Sequence, residues 1–165
     1  MKWVLFGVSI GAIVLIAKTA LAAWMFQSSE SAFDDGNTAI AATVGDVGGI
    51  GLKCQAKELS VIYMVEGTDL TQEAVNTGNP LHMFKLKLRI DKGEILTLDA
   101  FAQVPKSGTL ILAAPLEGSQ AASIRDAKNK IAIAFSMGEQ NFYEQSVAAA
   151  GSSSAIRKVM SQCGV

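Results

Sequence analysis

Histidine, cysteine and proline are scarce in this sequence, whose 165 residues include one His, two Cys and three Pro. One His with two distant Cys makes a poor zinc site, because a zinc ion needs three or four converging ligands. Only 18% of the residues are charged, and the formal net charge is −1. Without a basic field the chain is not expected to bind nucleic acid. The sequence therefore predicts no metal, no cofactor and no nucleic-acid partner.

Catalytic signatures are also missing from the sequence. It has no Gly-x-Ser-x-Gly elbow and no Cys-x-x-Cys redox pair. The glycines at Gly48, Gly49 and Gly51 are not followed by the Lys-Ser/Thr pair of a phosphate-binding loop. His82 is the one available imidazole, and we interpret it as a surface residue at the edge of a loop. A non-enzymatic protein is predicted, with a small hydrolase that uses His82 as an alternative.

The N-terminus has the pattern of an export signal. A basic start is followed by an apolar run from Trp3 to Ala17 and then by Ala20-Leu21-Ala22. We predict a signal peptide over residues 1–22 and a single β-rich domain over residues 23–165, in the periplasm or secreted. The alternative is an uncleaved anchor from Trp3 to Phe26, and only in that case would a membrane be a partner.

The two cysteines, Cys54 and Cys163, form an even set in a chain with an export signal. Because the extracytoplasmic space is oxidising, they are expected to form a disulfide that links an early strand to the C-terminal segment. The alternative is a pair of buried free thiols.

The stretch Phe84–Asp91 has the clearest pattern in the chain, because apolar and charged residues alternate along it. Successive side chains of a β-strand point to opposite faces, so this pattern predicts a strand with one buried and one charged face. A turn at Asp91–Glu94 and a returning strand at Ile95–Gln103 complete a hairpin.

Further strands are expected from β-branched and apolar runs, and they cover Trp24–Gln27, Thr38–Val44, Gly51–Cys54, Glu58–Val65, Thr109–Ala113, Lys130–Met137 and Asn141–Val147. The connections include a turn at Asp34–Asn37 and a glycine-rich link at Gly45–Gly51. Glu66–His82 is expected to be an exposed, mobile polar loop.

Two helices complete the prediction. Gly118–Asn129 has helical composition with Ser119 as its N-cap. The C-terminal helix begins at Ser153 or Ser154 and ends near Cys163. Its apolar residues recur at helical spacing, and Cys163 belongs to that stripe. The predicted fold class is mainly β: an antiparallel β-sandwich or small barrel of about eight strands, with a short helix and a docked C-terminal helix.

The charged side of Phe84–Asp91 is the candidate partner-binding face. It carries Lys85, Lys87 and Arg89, and Lys92 follows just beyond the strand. One interpretation is a solvated face whose lysines discourage pairing with other strands. The other is a docking site for an acidic or anionic partner.

The order of short motifs resembles small exported accessory proteins of bacterial type VI secretion systems, of the VasI/TagO-like type. The motifs that carry this resemblance are Trp24, Asp34-Asp35, Leu52-Lys53-Cys54, Arg89-Ile90-Asp91, and Ala155-Ile156 with Cys163. The glycine-rich link and the long 66–82 segment depart from the pattern. The resemblance implies a periplasmic, non-enzymatic accessory role and supplies no catalytic residue.

The expected function is therefore a periplasmic or secreted accessory or binding protein, associated with a secretion machine and bound to an envelope or secreted protein. The alternative is an inhibitor of a secreted cell-wall hydrolase that would act through a protruding loop at 66–82.

Overall fold

The protein is described by a computed structural model over residues 23–29 and 37–165. This part of the chain forms ten strands in two antiparallel sheets, with three α-helices. The prediction of a mainly β fold is confirmed, and the two open sheets make it a β-sandwich rather than a barrel. The predicted signal peptide at 1–22 and most of the predicted turn at Asp34–Asn37 lie outside the described residues.

The larger sheet has six strands, in the spatial order β1 (Met25–Ser29), β2 (Thr38–Val44), β3 (Gly48–Gln55), β4 (Glu58–Glu66), β8 (Thr109–Pro115) and β7 (Phe101–Lys106). The smaller sheet has four strands, in the order β10 (Gln140–Ala148), β9 (Lys130–Met137), β5 (Phe84–Ile90) and β6 (Ile95–Asp99). The helices are α1 (Gln72–Gly78), which runs into one 3-10 turn (Asn79–Leu81), α2 (Gly118–Arg125) and α3 (Ser152–Cys163).

Strand β5 lies inside the four-stranded sheet, between β6 and β9. Its apolar residues Phe84, Leu86 and Leu88 are buried, so the predicted strand and its buried face are confirmed. The strand ends at Ile90, one residue earlier than predicted, because Asp91 adopts a left-handed backbone with φ 53°.

The predicted returning strand Ile95–Gln103 is wrong beyond Asp99. Residues 95–99 pair with β5 as expected, but Phe101 begins β7, which pairs with β8 in the other sheet. The break falls at the buried Ala100, whose N–H donates to the Phe84 carbonyl at 3.0 Å. One continuous segment therefore crosses from the small sheet to the large sheet.

The glycine-rich segment is not the link that its composition predicts. Strand β3 begins at Gly48 and pairs with β2 and β4 along its length. Gly48 has φ +156°, and a Cβ there would lie 1.9 Å from the Met64 carbonyl oxygen, so only glycine allows the strands to approach this closely. The predicted β3–β4 hairpin is confirmed, with Ala56 and Lys57 both at positive φ as a two-residue hairpin turn requires.

The segment Glu66–His82 is not a mobile loop but contains α1 and the 3-10 turn. The Thr71 hydroxyl caps α1 by accepting a bond from Ala74 N at 3.2 Å, and Val75 is fully buried. The Asn79 side chain pairs with both backbone groups of Ala102 at 2.9 Å, so this segment covers the free edge of β7. Because the edge is covered, its backbone N–H and C=O groups are not available to pair with a strand of another molecule.

Helix α2 is capped differently from the prediction and is shorter. Glu117 rather than Ser119 is the N-cap, and Gln120 returns a bond to the Glu117 N–H at 2.9 Å to complete a capping box. The helix ends at Arg125, before the predicted Asn129.

Helix α3 confirms the predicted C-terminal helix, although it begins at Ser152, one or two residues before the predicted start. Its apolar stripe is buried against β2 and β3, and Gly164 ends the helix with φ 76°. Cys163 forms a disulfide with Cys54 of β3 across a Cα–Cα distance of 5.7 Å. The disulfide therefore joins the last turn of α3 to the inner face of the large sheet.

The two sheets are joined by buried polar contacts as well as by apolar packing. The Tyr63 hydroxyl on β4 donates to the Tyr143 carbonyl in a bulge of β10. The Gln145 side chain accepts from Val47 N at 3.2 Å and donates to the Gly48 carbonyl at 3.3 Å. Burial raises the pKa of Tyr63 well above its usual range, opposed by the smaller effect of Gln145, so this phenol stays a neutral donor.

The disulfide closes a long loop, since its cysteines are 109 residues apart in sequence. Replacing both cysteines, Cys54→Ser with Cys163→Ser, is expected to lower the free energy of unfolding by about 4–5 kcal/mol, because the unfolded chain regains its freedom. Urea unfolding of the two proteins measures the difference. Alkylation of the unreduced, denatured wild-type protein followed by intact-mass measurement provides the check, and two alkylatable thiols would contradict the bond.

The Tyr63 contact provides a second test of the joint between the sheets. Tyr63→Phe leaves the Tyr143 carbonyl without its hydroxyl donor and is expected to cost about 1–2 kcal/mol of unfolding free energy. Tyr143→Phe is the matched control, because Tyr143 contributes its carbonyl and not its own hydroxyl. Equal stability losses in the two variants, measured by urea unfolding, would show that the hydrogen bond is not the source of the effect.

Candidate binding surfaces

The outer face of the four-stranded sheet carries the cations that the sequence singled out. Lys85, Lys87 and Arg89 point outward because the residues between them are buried. We call these three residues the basic face. Lys92 lies beyond them, exposed in the turn after β5.

Lys85 is already paired within the sheet. Its ammonium contacts the Asp99 carboxylate, which lies directly opposite on β6. The hydrogen bond from Lys85 is the largest cause that holds the pKa of Asp99 below its usual range. Both side chains remain partly exposed, and pairs of this kind contribute little stability. Lys85 is therefore the least available cation of the basic face.

Lys87 reaches across the sheet. Its Nζ donates to Asn141 Oδ1 on β10 at 2.9 Å, and because β9 lies between β5 and β10, the lysine stem crosses β9. Ala134 and Ser136 of β9 share this outer face and are nevertheless buried. The Ser136 hydroxyl has no hydrogen-bond partner among the described residues. An unpaired buried hydroxyl is unfavourable by about 1–3 kcal/mol, so it marks a place where a ligand group could be accommodated.

Arg89 differs from the two lysines. It is exposed, and within residues 23–29 and 37–165 neither Arg89 nor Lys92 has an ion-pair partner. The structure thus separates the four predicted cations into two that are tied to neighbours and two that are free to meet a partner.

Asp91 is a structural residue rather than part of the charged face. Its carboxylate accepts hydrogen bonds from the backbone N–H groups of Lys128, Asn129 and Lys130 at 2.9, 2.7 and 3.0 Å. These bonds lower the pKa of Asp91, with Lys128 the largest contributor. The side chain therefore ties the β5–β6 turn to the segment before β9.

A metal-binding cluster is not found in the described part of the chain. There, no three His, Cys, Asp or Glu side chains lie close enough together to hold a metal ion. His82 is exposed and ends the 3-10 turn with a left-handed backbone at φ 51°. Beside that turn lies an open hollow of about 450 Å³ between α1, β5 and β9, lined mainly by apolar side chains with Glu73 as its one charged residue.

The centre of the outer face of the six-stranded sheet is apolar, and the sequence prediction missed it. One cross-strand row crosses all six strands and consists of Met25, Ala42, Gly51, Ile62, Ala113 and Phe101. The next row consists of Val44, Gly49, Met64, Ile111 and Gln103. We call these two rows the apolar face. It contains no charged side chain, and Met25, Val44 and Phe101 are 65%, 58% and 55% exposed.

A signal for the apolar face is present in the sequence. In the middle of β2, β4 and β8 the outward positions are apolar, unlike the charged outward positions of β5, although β4 carries Glu58, Ser60 and Glu66 outward nearer its ends. Such continuous apolar strands are typical of sheets that are covered on both sides. The sheet's inner face is covered by α3 and the small sheet, whereas no described element packs on the outer face. Finding this face required the strand order, which local sequence patterns do not contain.

The fold and surfaces define a disulfide-linked two-sheet β domain with helices. None of the helices in the described part of the chain has the length and apolar character needed to cross a membrane. The disulfide is compatible with a location outside the cytoplasm.

No family model and no curated protein matches the chain. A solved structure, the invasion associated protein B from Bartonella henselae, is similar to it with a TM-score of 0.56 and 14% sequence identity. The match covers 86% of this chain and 93% of that chain, and at this identity it shows a shared fold alone. A protein of unknown function from Burkholderia pseudomallei K96243 matches more weakly, with a TM-score of 0.34, 14% identity and coverage of 62% and 56%.

The bonds to Asp91 predict an acid-dependent loss of stability. Because the pKa of Asp91 is lowered in the folded protein, its contribution is present above the pKa of an unfolded Asp, about 3.9. The contribution is lost as the pH falls through the lower, folded value. Asp91→Asn is therefore expected to destabilise the protein at neutral pH and to do so less as the pH falls below about 4.

Thermal unfolding measured from neutral to acidic pH tests this expectation. Asp69→Asn is the control, since Asp69 is exposed and accepts no hydrogen bond from the described residues. A stability difference between wild type and Asp91→Asn that stays constant with pH would rule out the proposed role of the carboxylate.

Proposed function

We propose that the protein is an exported, non-enzymatic accessory or binding protein that acts in the periplasm or after secretion. The N-terminal pattern of residues 1–22 and the Cys54–Cys163 disulfide support export. The resemblance to accessory proteins of type VI secretion systems supports an envelope or secreted protein as the partner. That resemblance stays a prediction, because neither structural neighbour carries such a description.

The partner presents carboxylates to the basic face. The observation that carries this proposal is the unpaired, buried Ser136 hydroxyl between Lys85 and Asn141. A carboxylate that draws the Lys87 ammonium away from Asn141 exposes Ser136 and can accept its hydroxyl proton in a hydrogen bond. Arg89 and Lys92 supply free cations at the same side of the sheet.

The interaction with the partner is expected to be modest in strength and sensitive to salt. Exposed cations act mainly on the rate of encounter, and their attraction is screened beyond about 8–10 Å at physiological salt. Ser136 adds a directional bond that a solvated charged face would lack. The partner is thus selected by acidic groups placed over β9 as well as by overall charge.

The hydrolase-inhibitor alternative has less structural support. It depended on a protruding segment at 66–82, and this segment instead folds into α1 and covers the β7 edge. Among the described residues it offers no free inhibitory loop.

Charge reversal tests the proposed function. Lys87→Glu, Arg89→Glu and Lys92→Glu together are expected to reduce partner capture about tenfold, or roughly 1.4 kcal/mol, because the cations meet carboxylates. Lys85 is left in place, since its reversal would set two carboxylates against each other at Asp99. Capture from a periplasmic fraction is compared by quantitative mass spectrometry.

The control variant reverses three exposed cations elsewhere, Lys57→Glu, Lys106→Glu and Arg157→Glu, so both variants change the net charge equally. Partners lost from the first variant and retained by the control support the basic face. Partners retained by both variants, or lost equally from both, contradict it.

A further inference from the structure

We propose that the apolar face pairs with the same face of a second copy of this chain, so that two large sheets pack against each other in a two-fold dimer. This inference uses the opposite side of the molecule from the basic face and does not depend on the proposed function. It accounts for the apolar outward positions of β2, β4 and β8, which otherwise have no covering layer among the described residues.

The relief of the apolar face is self-complementary. Ile62 and Met64 form a ridge along β4, and the adjacent strand β3 carries Gly51 and Gly49. The end of the Met64 side chain leans towards Gly49, 3.8 Å from where a Cβ would stand, so the low point of the relief lies at Gly51. These strands are the third and fourth of six, so the centre of the sheet falls between them. A two-fold axis parallel to the strands and over this centre places β3 of each copy on β4 of the other. Ile62 of one copy then lies over Gly51 of the second copy.

The remaining strands also match under this axis. Ala42 of β2 faces Ala113 of the second copy, because β2 and β8 are equally far from the centre. Met25 at one edge faces Phe101 of the second copy at the other edge. Two-fold interfaces are reciprocal in this way: each contact between two residues occurs twice, once with each copy contributing the first residue.

Charges at the border of the apolar face are compatible with this arrangement. Lys53 of β3 lies in the cross-strand row that borders the apolar face. Under the same axis Lys53 faces Ser60 of the second copy rather than another lysine. Glu58 of the second copy lies on the same strand as that Ser60, two residues away, within reach of a long lysine side chain. Lys53 and Glu58 line an open hollow at this end of the sheet.

The outer face of the large sheet, with the apolar face at its centre, is large enough for a dimer. Six strands at about 4.8 Å spacing and seven residues at about 3.4 Å give the whole outer face roughly 700 Å² before side-chain relief is counted, and the two rows of the apolar face make up roughly 400 Å² of it. A stable interface of standard size buries about 800 Å² from each partner.

Cross-linking tests the predicted geometry. In a variant with Met25→Cys and Phe101→Cys, the new thiols of one copy are five strand spacings apart, about 24 Å, but face those of the second copy across packed sheets about 10 Å apart. The native cysteines are bonded to each other and do not compete. A bismaleimide with a spacer of about 10 Å, matched to this sheet separation, should give covalent dimers.

Either substitution alone should give no covalent dimer, because the two equivalent thiols of the dimer then lie at opposite edges of the packed sheets, too far apart for the spacer. Dimers from a single variant, or none from the double variant, overturn the proposed arrangement. Met25 and Phe101 are both exposed, so these changes leave the core intact.

Sedimentation equilibrium at micromolar concentrations tests the association itself. The wild-type protein should sediment as a dimer, and Ile62→Glu should weaken association about a hundredfold or more by placing an unpaired charge in the interface. Thr97→Glu, an exposed strand position on the other sheet, should leave the dimer unchanged. A wild-type protein that is monomeric throughout this range overturns the proposal.

Discussion

The fold depends on burial of the inner face of the six-stranded sheet. Two different elements cover this face, each over about half of its area. Helix α3 covers β2 and β3 and is held there by the Cys54–Cys163 disulfide. The four-stranded sheet covers the other half and is held by the polar contacts of Tyr63 and Gln145. Gly45 makes room for this joint, since a Cβ there would lie 2.2 Å from Gln145 Oε1. Each half therefore has both apolar burial and a specific link that sets its position.

The elements that the sequence predicts well are those with a local pattern. The alternation in Phe84–Ile90 identifies β5, and the helical stripe that ends at Cys163 identifies α3. The elements that it misses depend on distant partners. The sequence around Ala100 contains no signal for a strand break, because the break depends on the pairing of Phe101 with the distant strand β8. The polar α1 segment depends on the free edge of β7, which Asn79 occupies, and the glycines of β3 depend on close contact with Met64.

The binding surfaces show the same division. The basic face was predicted from β5 alone, and the structure places Lys85, Lys87 and Arg89 together on it. That Asp99 and Asn141 already bind two of these cations was not predictable, because both partners come from other strands. The apolar face required the order of six strands, of which β8 and β7 follow β4 in space but not in sequence.

Together, the two surfaces give the domain two different outer sides. A dimer joined through its large sheets would present two basic faces outward, one from each copy, and could engage a repeated acidic partner at two points. Small-angle X-ray scattering at micromolar concentrations tests the central claim, that the apolar face is covered by a second copy. The dimer should give a radius of gyration of about 20 Å, whereas about 15 Å, the value expected for one copy of this length, would contradict the dimer.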